Sequence, residues 1–153
     1  MRRMSYGWIS VAMALGVVFV GCGGGGSDRD PVPVNANVLG TLMLPEAVDT
    51  PTYQVYIDDD TDPTTFVARS EGICACNTAI DYFFNNVPPG TYYIYGIVRM
   101  NQHLDGPAQP NDFLGFYGTL DGQKPDAPNL VVPGGQEIAS GIEIRATLVP
   151  PAP

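Results

Sequence analysis

Four groups of residues in this chain have the types and spacing that chemistry requires. Asn101, His103, Asp105, Gly106 and Asp112 fall on the ligand positions and the turn glycine of an EF-type calcium loop. Such a loop uses hard oxygen donors at alternate residues, a sharp glycine bend and a distal carboxylate. Here a histidine stands among the donors, the distal carboxylate is the shorter Asp, and Pro107 and Pro110 stiffen the segment. A solvated hairpin loop is the competing reading and the stronger expectation. A tighter acidic run is formed by Asp58, Asp59, Asp60 and Asp62. Clustered carboxylates repel one another, and a divalent cation relieves that repulsion, as does simple solvation in an exposed turn.

Cys74 and Cys76 stand two apart. In a strand both thiols share one face, with Cα atoms at the upper limit for a bridge. In an oxidising compartment a local disulfide is the expectation. With His103 the pair would offer soft ligands for copper or zinc, without a recognisable ligand spacing. The fourth group is aromatic. Tyr93 and Tyr95 alternate along one run, with Tyr56 and Phe116 as candidates for the same face. Exposed, these rings would stack on sugars or meet a partner. Covered, they are core, and core is the expectation for a β-sandwich. Enzyme signatures are missing from the sequence: it has one His, no Gly-x-Ser-x-Gly, no P-loop and no dinucleotide fingerprint.

The elements that must carry these residues are strands. Of 153 residues, 18 are Gly and 15 are Pro, which leaves few uninterrupted helical windows. Hydrophobic residues make up 44% and charged residues only 15%, a balance that argues against disorder. The apolar runs are short, with turn residues between them. Val38–Leu44 ends at Pro45. Tyr53–Ile57 has Tyr53, Val55 and Ile57 on one face. Phe66–Arg69, Ile73–Cys76, Ile80–Phe84, Tyr92–Arg99, Phe113–Tyr117 and Leu130–Val132 follow. On Tyr92–Arg99 the core side is Tyr92, Ile94, Gly96 and Val98. Ile138–Leu148 alternates most regularly, with Ile142, Ile144, Ala146 and Leu148 directed inward. With Ile73–Cys76 at most a short edge strand, these runs predict an all-β, seven- to eight-stranded antiparallel β-sandwich over residues 38–149. The length suits one domain.

The formal charge is −9. Without Arg2 and Arg3, five basic residues face sixteen acidic ones, a net of −11. No basic patch is available for phosphate, so nucleic-acid binding is disfavoured.

Residues 1–21 have the plan of a secretory signal. Arg2 and Arg3 begin it, Trp8–Val20 is apolar apart from Ser10 and Gly16, and Phe19-Val20-Gly21-Cys22 closes it. The run is too short to span a bilayer comfortably. Val20, Gly21 and Cys22 resemble the end of a bacterial lipoprotein signal, with Phe19 where leucine is usual. That resemblance implies a diacylglyceryl thioether on Cys22, which becomes the mature N-terminus, and anchoring in a membrane. Gly23 in place of Asp implies the outer membrane. Residues 22–37 then read as a Gly- and Pro-rich tether reaching at most about 50 Å, and residues 150–153 as a Pro-rich tail.

A second resemblance covers the domain. Val38, Gly40 and Leu42, followed by Val87, Pro89, Gly90, Thr91 and Tyr92, are similar to the opening strand and central turn of carboxypeptidase regulatory-like domains. The resemblance implies a transthyretin-like or Ig-like sandwich that serves as an accessory or binding module. The expectation is a lipid-anchored, non-catalytic binding or structural module without a cofactor, its partner an envelope protein or a surface glycan. A calcium- or transition-metal-binding module and a carbohydrate-binding or hydrolase-accessory domain are the alternatives.

Overall fold

The computed structural model describes residues 36–48, 52–73, 78–100 and 106–151. They form two β-sheets packed as a sandwich, with no helix among them. The smaller sheet has three strands, in the order β4 (Ala79–Asn85), β1 (Ala36–Met43), β8 (Ala139–Arg145). The larger runs β3 (Ala68–Ile73), β2 (Thr52–Asp58), β5 (Gly90–Arg99), β6 (Phe113–Phe116), β9 (Thr147–Leu148), and β7 (Leu130–Val132) pairs with the start of β5.

Period-two alternation sets both faces of the larger sheet. Val55 and Ile57 of β2, Ile94 and Val98 of β5, and Phe113 of β6 point inward. They meet Val38 and Leu42 of β1, Ile80, Tyr82 and Phe84 of β4, and Ile142 and Ile144 of β8. These side chains, nearly all aliphatic or aromatic, form the main core. Tyr92 is half-buried against it, and its hydroxyl donates to the Pro88 carbonyl at 3.1 Å. The Val87-Pro88-Pro89-Gly90 turn is pinned from the opposite side as well. The Asn37 amide donates to the Val87 carbonyl at 2.7 Å and its oxygen accepts the Val87 N–H at 3.1 Å.

Gly40 explains its place in the opening strand. The Tyr82 hydroxyl crosses over it to donate to the Ile142 carbonyl at 3.2 Å. A Cβ on Gly40 would lie 2.3 Å from both oxygens. Glycine is therefore what allows β4, β1 and β8 to close around that bond.

The strands depart from the sequence reading in three places. β1 and β8 pair in parallel, with Thr41 opposite Glu143 and Leu42 opposite Ile144; every other pairing of named strands is antiparallel. The third strand begins at Ala68 rather than Phe66, because the Val67 N–H still closes the preceding turn onto the Ile57 carbonyl at 2.9 Å, and it runs unbroken to Ile73 instead of ending at Arg69, so Ile73 opens no separate strand. The last run is two strands rather than one. It leaves the smaller sheet at Arg145, the Ala146 N–H donates to the Met43 carbonyl at 2.9 Å, and Thr147–Leu148 joins β6 in the larger sheet. Gly115 of β6 permits this crossing, since a Cβ there would lie 2.5 Å from the Arg145 carbonyl oxygen. The switch turns Leu148 outward, 52% exposed, against the alternation that places it with Ile142 and Ile144.

Candidate functional site

The outer face of the larger sheet is covered and carries the aromatic candidates together with Asp58. Alternation brings Gln54, Tyr56 and Asp58 of β2 beside Tyr93, Tyr95, Ile97 and Arg99 of β5, with Leu114 and Phe116 of β6 beyond. Tyr56, Tyr93, Tyr95, Ile97 and Phe116 are buried as a second, smaller core, with Ala108 and Leu114 packed against it. Tyr95 stacks on Tyr56 with ring centres 5.2 Å apart and lies 5.2 Å from Phe116. Phe66 meets Tyr56 edge-on at 5.7 Å. As a binding face, then, Tyr93 and Tyr95 offer no open ring to a sugar.

Arg99 ends this face and is fully buried. Its Nε donates to Gln54 Oε1 at 2.6 Å, an oxygen that also accepts the Tyr56 hydroxyl at 2.9 Å. Its Nη2 donates to the Gly106 carbonyl at 2.6 Å, and Nη1 reaches the Pro107 carbonyl at 3.5 Å. A guanidinium has five donors in a fixed fork, so one side chain ties the sheet to the loop that follows it. Sequence reading passed over Arg99. Its signal was its place, two residues on from Ile97 on the face of Tyr93 and Tyr95.

Asp112 is buried as well, and both its carboxylate oxygens accept backbone donors. Oδ1 takes the Met100 N–H at 3.0 Å and Oδ2 the Gln109 N–H at 2.8 Å. It clasps the two ends of the loop that the calcium spacing singled out. Asn101, His103 and Asp105 lie outside the described residues, as do Cys22, Cys74 and Cys76. The loop and cysteine readings therefore have only Asp112 and Gly106 placed, and both serve to shape the loop.

The acidic run is placed in full. Asp58 ends β2 and is 1% exposed; Asp59 and Asp60 lie outside it in solvent. One carboxylate oxygen from each of these three lies within 4.8 Å of the others. Asp62 does not join them. Its Oδ1 accepts the Thr64 N–H at 2.9 Å and the Thr64 hydroxyl at 2.7 Å. The Thr64 hydroxyl and then its amide hold the Asp62 carboxyl below its usual range. Of the four residues in the acidic run, the cluster therefore consists of Asp58, Asp59 and Asp60, without Asp62. Asp58 Oδ1 accepts the Asp59 N–H at 2.8 Å, while Oδ2 is buried with no hydrogen-bond partner. Burial, the largest influence, pushes the Asp58 carboxyl up to about 6, and the neighbouring Asp60 and Asp59 charges add to it. The Tyr95 hydroxyl is the second buried side-chain group without a partner among the described residues. Burial raises its pKa, and Asp58 is the strongest of the neighbouring groups that raise it further.

No protein-family model, curated protein or solved structure matches this chain.

Proposed function

We propose that this chain is a lipid-anchored, non-catalytic β-sandwich module displayed from the outer membrane, where it binds or braces another component of the envelope. The observation that carries the reading is the join between two halves of the sequence. Val20-Gly21-Cys22 ends an apolar run of signal-peptide plan, and a β-sandwich begins at Ala36, fourteen residues beyond Cys22. Thioether-linked acyl chains on Cys22 would hold the N-terminus in the bilayer, since two or more chains give stable anchoring. The Gly- and Pro-rich segment would then set the domain off from the surface. Similarity of Val38, Gly40, Leu42 and the Val87–Tyr92 turn to carboxypeptidase regulatory-like domains supports an accessory or binding role rather than a catalytic one.

Burial of Tyr93 and Tyr95 weighs against that face both as a sugar-stacking platform and as a partner contact. The net negative charge weighs against nucleic acid. Metabolic labelling with palmitate, comparing the wild type with Cys22→Ala, tests the anchor. Label in the wild type alone supports it, and equal labelling contradicts it. Cross-linking in intact cells followed by affinity capture then identifies the partner.

A further inference from the structure

We propose that Asp58, Asp59 and Asp60, at the end of β2, form a divalent-cation site of all-oxygen chemistry suited to calcium, beside the unpartnered Tyr95 hydroxyl on the same sheet face of the neighbouring strand. The site needs neither the anchor nor a partner, so it stands or falls apart from the reading above.

Three carboxylate oxygens within 4.8 Å of one another need only a small side-chain adjustment to converge on one ion at calcium–oxygen distances of about 2.3–2.6 Å. Proximity alone would describe many solvated turns. What sets this corner apart is the pair of buried oxygens left without a partner. Asp58 Oδ2 has no donor, although buried polar atoms in native proteins almost always have one. The Tyr95 hydroxyl is likewise unsatisfied, and its residue is only 2% exposed. The register relates the two. Asp58 pairs with Tyr93 and Tyr56 with Tyr95, so Tyr95 lies diagonally across the strand pair from Asp58, on the same face and within reach of a long ring. A cation at Asp58 Oδ2 would satisfy that oxygen. A water on the cation would give the tyrosine hydroxyl its partner.

Lys124 lies beside the cluster without pairing to its carboxylates. The Lys124 ammonium donates to the Asp60 carbonyl at 3.1 Å and rests 4.6 Å over the Tyr93 ring, and it forms no ion pair with the three Asp side chains. The donor set contains no nitrogen or sulfur, which selects hard ions over copper or zinc. Calcium tolerates an irregular shell completed by water, whereas magnesium demands a tighter octahedron.

The test uses the full-length protein in non-ionic detergent, with terbium(III) as a luminescent substitute for calcium. Tyr93 and Tyr95 lie beside the site and would sensitise the emission. The expected result is saturable emission displaced by calcium, with a midpoint of about 10⁻⁴–10⁻³ M as in extracellular calcium modules. Asp58→Asn and Asp60→Asn should each weaken calcium roughly tenfold or more, since ligand charge count tunes affinity. Asp60 is exposed, so its variant remains informative even if Asp58→Asn fails to fold. Lys124→Met should strengthen binding on the order of threefold by removing a like charge. Absence of saturable emission would overturn the proposal. So would an Asp60→Asn titration identical to wild type, or a Glu143→Gln control, on the distant β8, that weakens binding as much as Asp60→Asn.

Discussion

The Arg99 guanidinium donates from Nε to Gln54 Oε1 at 2.6 Å, inside the covered outer face of the larger sheet. Arg99 sits opposite Thr52 in the register, so the bond to Gln54 is diagonal across β2 and β5. The same side chain reaches the carbonyls of Gly106 and Pro107. A charge taken wholly out of water is tolerated only when its donors are matched. Arg99→Met should therefore lower stability by about 3–5 kcal/mol, the range for breaking a buried charged network. Arg69→Met should change it by less than about 1 kcal/mol, because Arg69 and its partner Glu71 are both solvent-accessible at 3.2 Å. Urea denaturation of the two variants checks the contrast.

Gly40→Ala should lower stability by about 1–3 kcal/mol, the usual range for overpacking, because the added Cβ meets both the Ile142 carbonyl and the Tyr82 hydroxyl. Tyr82→Leu removes the hydroxyl and the ring carbon Cζ, two of the three atoms within 2.4 Å of that Cβ. The double variant should then be less destabilised than the sum of the single ones, and a thermal-melt double-mutant cycle measures the difference.

Asn37→Ala should lower stability by about 1–3 kcal/mol, since it strips the Val87 N–H and carbonyl of their partner at a buried turn. Asn37→Asp keeps the acceptor but not the donor and should fall between the two. Equilibrium denaturation of the three proteins gives the order.

Stability should also depend on pH through Asp58. Its carboxyl rises from 3.8 when unfolded to about 6 when folded, chiefly through burial. The folded protein therefore holds that proton more tightly than the unfolded chain does. The contribution is fully present below about pH 4 and is lost as pH rises through 6. Asp59, Asp60, Tyr93, Tyr95 and Lys124 surround the group and are unchanged in Asp58→Asn. Asp62 acts in the opposite sense, since its carboxyl is held low, but it is common to both proteins. With chelator present, wild type should lose melting temperature relative to Asp58→Asn between pH 4 and pH 6.5. A constant difference would contradict the assignment.

Much of this fold was legible because period-two alternation in a sandwich has few solutions. Tyr53, Val55 and Ile57, then Ile94 and Val98, announce the core face of β2 and β5 from residue type alone. The Val87–Gly90 turn was legible for a similar reason, since Pro and Gly fix local backbone geometry. The parallel pairing of β1 with β8 was not, because no hairpin links them and about a hundred residues intervene. The crossing at Ala146 was hidden too, since the alternation continues unbroken while the chain changes sheets. Charge misled most. Arg99 stood only as the end of a strand and Asp112 as the distal carboxylate of a calcium-type loop, yet both are buried to hold the loop after β5. Asp58 read as turn, although Gln54, Tyr56 and Asp58 continue one alternating face into the covered aromatic layer.

The central claim, a lipid-anchored module, is tested most directly by mass spectrometry of the mature N-terminal peptide of the full-length gene product purified from cell membranes. The account predicts a peptide that begins at Cys22 and carries a diacylglyceryl group on its sulfur. A peptide that runs through an unmodified Cys22 from a residue upstream would contradict it.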